Sequence, residues 1–344
     1  MGKDDKIRLG ISIGDLNGVG IEVILKTFED QRMLDFCTPI IFGSTKTLSY
    51  HKNALNLKNP IQGISQINKP VANKLNLFNV WQELVDINLG QASEVAGKYA
   101  YLSLKSATEA LKNNDIDVLV TAPINKHTIQ SDAFNFKGHT EYLESELEGT
   151  SLMILMDGDL RMGLATTHLP LKDVAEKITA QLIEDKIDIL NKTLIQDFGI
   201  QKPKIAVLGL NPHCGDNGVI GTEETEIIIP TLNKIQEKGI LAYGPFAADS
   251  FFGNKSYTDF DAILAMYHDQ GLAPFKALSF GHGVNFTAGL SRIRTSPDHG
   301  TAFDIAGKGQ ADYSSFKEAV FSAIAIFRAR ATYLKLKENQ LLVK

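Results

Sequence analysis

Short apolar runs alternate along the chain with longer stretches in which apolar positions recur three or four residues apart. The runs predict strands at Ile7–Ile13, Pro39–Gly43, Leu75–Val80, Ile116–Ala122, Leu152–Met156, Met162–Thr167, Ile205–Leu210, Ile240–Tyr243 and Ala262–Met266. The periodic stretches predict helices at Ile21–Glu29, Ser93–Lys112, Thr179–Asp197, Glu223–Lys238 and Ser315–Lys337. Strands separated by helices at this rhythm imply βαβ units and a largely parallel sheet covered on both faces. Ser315 with Glu318 three residues on reads as a capping box, ahead of an apolar side of Phe316, Val320, Ile324 and Phe327.

Length and charge narrow the picture. At about 150 residues per domain, 344 residues suggest two domains. The first is expected over 1–130 plus 300–344 and the second over 131–299, with no Gly/Ser/Pro linker between them. A net charge of −5 disfavours a nucleic-acid partner, which needs a basic face. Two cysteines, Cys37 and Cys214, make no disulfide framework and fit a reducing compartment. Met1–Lys6 is polar and lacks a signal core, and Lys6 breaks the myristoylation pattern that Gly2 would begin. The apolar runs are far shorter than a membrane span. A soluble cytoplasmic protein with no membrane partner is expected.

Three of the eight histidines stand at or just past predicted strand ends: His168 after Gly163–Thr167, His213 after Val207–Pro212, and His268 after Leu264–Tyr267. In open α/β sheets that edge binds ligands, and three imidazoles there can hold one divalent metal with positions left open. Asp249 or Asp269 can add an oxygen. A satisfied polar residue is the plainer reading of any one of these histidines; it is the triple placement that points to metal. Cys214, adjacent to His213 on an extended chain, is expected to point away and pack as a small hydrophobe.

Other loops carry anion-binding chemistry. Gly14, Asp15 and Gly18 lie in the first strand–helix turn, where backbone amides can meet a phosphate, although neither G-x-G-x-x-G nor a P-loop is present. A tight βα turn explains them equally well, and Lys126 reads as a solvated turn lysine. His139 and Thr140 precede Glu141 at a helix start, where Thr140 serves as an N-cap or as an anion donor. Lys276, Asn285, Arg292, Arg294 and Thr295 make a polar segment suited to a small phosphorylated carboxylate. Arg292 reads as surface, Asp298–His299 as a structural pair, and His51, His127 and His282 as solvated.

Together, Gly138-His-Thr-Glu, Ala165-Thr-Thr-His-Leu-Pro-Leu171, Gly209-Leu-Asn-Pro-His213, Ala265-Met-Tyr-His-Asp-Gln-Gly271 and Ile293-Arg-Thr-Ser-Pro-Asp-His-Gly-Thr-Ala302 resemble the 4-hydroxythreonine-4-phosphate dehydrogenase family of pyridoxal phosphate biosynthesis. The resemblance implies a two-domain α/β/α architecture like that of isocitrate and isopropylmalate dehydrogenases, with the active site in the interdomain and dimer cleft of a homodimer. It implies His168, His213 and His268 as metal ligands, one of them from the partner subunit. It implies His139, Thr140, Lys276, Asn285 and Arg294 as substrate contacts, with Lys276 and Asp249 as catalytic groups. NAD or NADP and one divalent ion (zinc, cobalt or magnesium) are the implied cofactors. The implied reaction oxidises the C3 hydroxyl of 4-phosphohydroxy-L-threonine to a 3-keto acid that loses CO₂. A paralogue acting on 4-phospho-D-threonate or 4-phospho-D-erythronate, and a non-redox metallohydrolase or metal-binding protein, stay open as alternatives.

Overall fold

A computed structural model describes residues 6–338. The reading of Met1–Asp5 as a polar, leader-free start lies outside the described residues. The described residues form twelve strands: β1 (Ile7–Ser12), β2 (Cys37–Gly43), β3 (Ile61–Ile64), β4 (Leu75–Asn79), β5 (Val118–Thr121), β6 (Gly149–Asp157), β7 (Leu160–Leu164), β8 (Lys204–Leu208), β9 (Leu241–Phe246), β10 (Ala262–Ala265), β11 (Val284–Leu290) and β12 (Arg294–Pro297). Two compact units divide the chain. The first runs up to Gly149 and takes in Leu290–Phe327; the second comprises Thr150–Gly289 and the chain from Arg328.

In the first unit the strand order is β3-β4-β2-β1-β5-β12, all parallel. The helix Glu94–Lys112 lays Ala100, Leu104, Ala107 and Leu111 on this sheet against Ile40, Phe42 and Leu119. Each large apolar side chain buried there contributes about 1.5–3 kcal/mol. Ser93, expected as the first helical residue, is instead its cap, accepting from the Ala96 amide. The terminal helix Ser314–Glu338 buries Phe316, Val320 and Ile324, but Ser315 lies inside it. The Ser315 hydroxyl accepts from the Asp298 amide, so the expected capping box is replaced by a tie to the end of β12.

In the second unit the order is β11-β6-β7-β10-β8-β9, with β6 antiparallel to β7 and β7, β10, β8 and β9 parallel. Its core joins Leu155, Met162, Leu164, Leu208, Ile263 and Phe275. The helix Ala180–Phe198 starts at a Thr179 cap. Its Asp197, 2% exposed at the side chain, takes two hydrogen bonds from Arg330, at 2.7 and 2.9 Å. The helix expected over Glu223–Lys238 begins instead as a π-turn, Glu224–Ile228, before the α-helix Ile229–Glu237. Pro230 has no amide to donate back into the preceding turn, which accounts for the wider start.

Candidate active site

Three neighbouring parallel strands of the second unit, β7, β10 and β8, share one carboxyl edge. His168 lies beyond the end of β7, His268 opens the helix His268–Ser279 after β10, and His213 follows β8. The His168 and His268 rings stand 5.9 Å apart between centroids, tilted by 41°. His268 Nδ1 is 2.8 Å from Asp269 Oδ1. With the proton assigned to Nδ1, Nε2 is left as the ligating nitrogen, the usual way a carboxylate orients a metal-binding histidine.

Gln270 ties two of these strand exits together. Its Nε2 donates to the Gly209 carbonyl at 2.6 Å and its Oε1 accepts from the Met266 amide at 2.7 Å. Thr166 Oγ1 donates to the Met266 carbonyl at 2.7 Å.

His213 is exposed, in a turn where His213, Cys214, Asp216 and Asn217 all have φ between 43° and 55°. Left-handed backbone at non-glycine residues costs about 1–2 kcal/mol each. This turn corrects the extended-chain placement of Cys214. The thiol is still half-buried and its pKa is raised, first by burial and then by Glu224, so it is a poor thiolate. Asp249 is exposed near the start of the helix Ala248–Gly253, close enough for its charge also to bear on Cys214.

Among the described residues no group of three His, Cys, Asp or Glu side chains is gathered around one point. His168 and His268 are brought together, and His213 is not brought into a three-ligand cluster with them. The donor types still fit a divalent ion, with an imidazole pair at a strand edge and a carboxylate behind one ring. The remaining residues expected here are divided in character. Lys276 is exposed on the helix His268–Ser279, whereas Asn285 on β11 is half-buried with its Oδ1 shielded and without a partner.

The first unit carries a different cluster. Arg294, on β12, is 2% exposed, and its Nε and Nη2 donate to Thr121 Oγ1 at the end of β5. Burial lowers the guanidinium pKa and attraction to Glu141 opposes the shift; it remains a cation at neutral pH. Glu141 sits in the first turn of the helix His139–Glu146, which Tyr142 and Leu143 anchor in the core beside Phe134. That helix begins two residues earlier than a Thr140 cap requires: Gly138 is the cap, and Thr140 lies in the first turn. The His139 imidazole is held well below the usual histidine pKa, first by burial and then by Arg294 and Lys126, and its Nε2 is sealed without a partner. Lys126 is exposed, yet its charge reaches His139. A neutral imidazole, a buried guanidinium and a helix N-terminus form a place for an anion.

The Gly14–Gly20 loop is closed. Its amides are spent internally: Asp15 on Pro123 O, Asn17 on Asp15 Oδ1, Gly18 on Asp15 O and Val19 on Thr301 O. A side chain at Gly14 (φ +70°) would meet Pro123 O at 2.2 Å. Asp15, 1% exposed, has its pKa raised by burial against bonds from Asn17 and Thr128. The cofactor candidates Gly14, Asp15 and Gly18 therefore lie in a tightly packed turn, where Asp15 and Gly18 spend their amides on protein carbonyls. His51, expected in solvent, is 2% exposed, with its pKa pushed down to about 4 by burial. His127 and His282 are exposed as expected. His299 Nδ1 lies 3.0 Å from the Gly300 carbonyl. Sequence reasoning passed over Thr121, Gln270 and Glu224. Gln270 lies in the Ala265–Gly271 motif and Thr121 opens the turn that ends at Lys126, but the partners that give Thr121 and Glu224 their roles are distant in sequence or structure.

Open parallel sheets whose strand ends gather imidazoles, a buried guanidinium and partnerless polar atoms define a ligand-binding α/β protein. Within that class the chain belongs to the family described as pyridoxal phosphate biosynthetic protein PdxA, which matches residues 35–323. A relative from Bacteroides thetaiotaomicron named 4-hydroxythreonine-4-phosphate dehydrogenase is 52% identical over 98% of this chain and 94% of its own. Another of that name, from a Sulfurihydrogenibium species, is 42% identical over 94% and 99%. Solved 4-hydroxythreonine-4-phosphate dehydrogenases share the fold. The Klebsiella pneumoniae structure superposes with a TM-score of 0.80 at 30% identity, covering 94% of this chain and 100% of its own. The Burkholderia phymatum structure gives 0.76 at 37%, over 94% and 99%. Among the described residues no helix is long and apolar enough to cross a membrane.

Proposed function

We propose that this chain oxidises the C3 hydroxyl of 4-phosphohydroxy-L-threonine in a nicotinamide- and metal-dependent reaction. The resulting 3-keto acid loses CO₂ to give 3-amino-2-oxopropyl phosphate, on the way to pyridoxal 5'-phosphate. What carries the reading is the paired presentation of His168 and His268 at one strand edge, with Asp269 behind one ring, in a chain whose relatives are named as this dehydrogenase. When bound, a divalent zinc, cobalt or magnesium ion supplies Lewis acidity that favours ionisation of the hydroxyl, and NAD or NADP supplies the hydride acceptor.

The protein's own groups do the rest. His168, His213 and His268 hold the metal, one of them contributed by the partner subunit of a homodimer, a sharing consistent with finding no three-ligand group among the described residues. Arg294, a neutral His139 and Thr140 at the helix start receive the substrate's phosphate or carboxylate. Asn285 orients the substrate through its partnerless Oδ1. Lys276 and Asp249 move protons at the exposed rim.

The test is NADH formation from 4-phosphohydroxy-L-threonine before and after chelation, and again with added Zn²⁺, Co²⁺ or Mg²⁺. Turnover that stops with chelator and returns with metal is the expected result. Turnover only with 4-phospho-D-threonate or 4-phospho-D-erythronate would move the substrate to the non-amino acids. No turnover with any of them, and no thermal stabilisation by NAD, would overturn the redox reading in favour of a hydrolase.

A further inference from the structure

Glu224 is a buried carboxylate with no part in the chemistry described above, and its side chain accepts hydrogen bonds from the chain segment that delivers His213. It is 1% exposed. Its Oε1 accepts from two consecutive backbone amides, Leu210 and Asn211, both at 2.7 Å. Its Oε2 accepts from Asn211 Nδ2 at 2.9 Å. Neighbouring Glu223 takes the same amide group at 2.7 Å. Farther along the turn, a side chain at Gly215 (φ +77°) would come within 2.8 Å of Glu224 Oε2. The carboxylate thus lies between the exit of β8 and the left-handed residues 213–217, two and three residues ahead of an exposed imidazole.

We infer that Glu224 is a positioning residue for His213, fixing the turn so that the imidazole is presented at the strand edge in one orientation. This rests on the assignment of His213 as a metal ligand. Three physical points support it. A strand exit leaves amides without ladder partners, and one carboxylate here satisfies two of them with charge-assisted bonds. The left-handed run is unfavourable for His, Cys, Asp and Asn, so it persists only where its surroundings over-determine it. Glu224 also opens a π-turn, an irregularity often found at functional sites, where the ladder is widened by a residue. Glutamine at 224 keeps the shape and loses the charge. Its single oxygen would accept from the two backbone amides, and its NH₂ would then face the Asn211 NH₂ donor to donor.

The test uses the full-length protein stripped of metal. Co²⁺ affinity is measured by calorimetry for the wild type, Glu224→Gln, His213→Ala and the double variant, with thermal melting of each. Outer partners of metal ligands typically change affinity by about 10–100-fold, and a loss of that size is expected for E224Q with a cooperative melt retained. The double variant is expected to bind Co²⁺ no more weakly than H213A alone, because Glu224 acts through His213. Wild-type affinity in E224Q beside a clear loss in H213A overturns the positioning role and leaves the metal assignment standing. Wild-type affinity in H213A overturns the metal assignment itself, and the inference with it. If E224Q does not fold, Asn211→Ala removes one of the three bonds to the carboxylate and carries the same expectation and the same refutation.

Discussion

The two clusters of polar residues are built on opposite plans. In the first unit, Arg294 is 2% exposed, held by Thr121 and attracted by Glu141, beside an imidazole kept neutral by burial. In the second unit, His213 is exposed and His168 and His268 are half-buried, with only two of the three rings near one another. The first cluster draws its groups from its own unit and is tied into the stability of the fold. The second has its backbone locked by Gln270, Thr166 and Glu224 while its side chains stay open. A site that must receive an ion, and on our reading a ligand from a second chain, cannot be sealed in the way an anion cradle can.

The contrast is broken most severely at Arg294. Removing a buried charge from its partners costs about 3–5 kcal/mol, so Arg294→Ala should lower unfolding free energy by that amount in urea titration as well as abolish turnover. A variant of unchanged stability would show that the first cluster is no more built in than the second.

His268→Ala should do the reverse. Turnover is expected to fall by at least about 100-fold, with loss of bound metal, while the denaturation midpoint stays close to the wild type because an open edge contributes little packing. Metal analysis beside a melting curve decides it; a large drop in stability would remove the distinction between the two plans.

The last effect is on pH, and it is spread over more than two pH units. His51 has a folded pKa of about 4 against 6.5 unfolded, so the unfolded chain binds more protons between those values. Stability is fully present above about pH 6.5 and falls as pH drops toward 4, by about 3 kcal/mol. His139, also held low, acts in the same direction. His51→Gln should flatten most of that decline in denaturation measured from pH 7 to 4. An unchanged slope would mean that His51 is not the group responsible.

Much of this was legible from local pattern. The helices that start within a residue of Ser93 and Thr179, the apolar strands β1, β2, β5 and β10, and the placing of three histidines past strand ends follow from periodicity and short-range chemistry. The misses share a cause. β12, Arg-Thr-Ser-Pro, is polar in every letter but the last and reads as a loop. It is a buried strand because Thr121 takes the guanidinium and the Ala319 carbonyl takes the Thr295 hydroxyl. The helix His268–Ser279 contains Gly271 and Pro274, which local propensity counts against, and forms because Phe275 is buried in the core. β3, only part-buried, shows too little apolar alternation to register.

Sequence alone determined the family, the α/β class and the chemistry available, because those depend on residue types and on order along the chain. Tertiary structure decided what each polar residue does. The glycine loop at Gly14 looked open to a phosphate and is closed by Pro123 and Thr301, more than a hundred residues away. His51 looked solvated and is buried. His213 looked like the end of an extended run and stands on a left-handed turn held by Glu224. Burial and hydrogen-bond satisfaction are set by partners distant in sequence, and so a polar letter announces its chemistry without announcing whether water, another side chain or a ligand will use it.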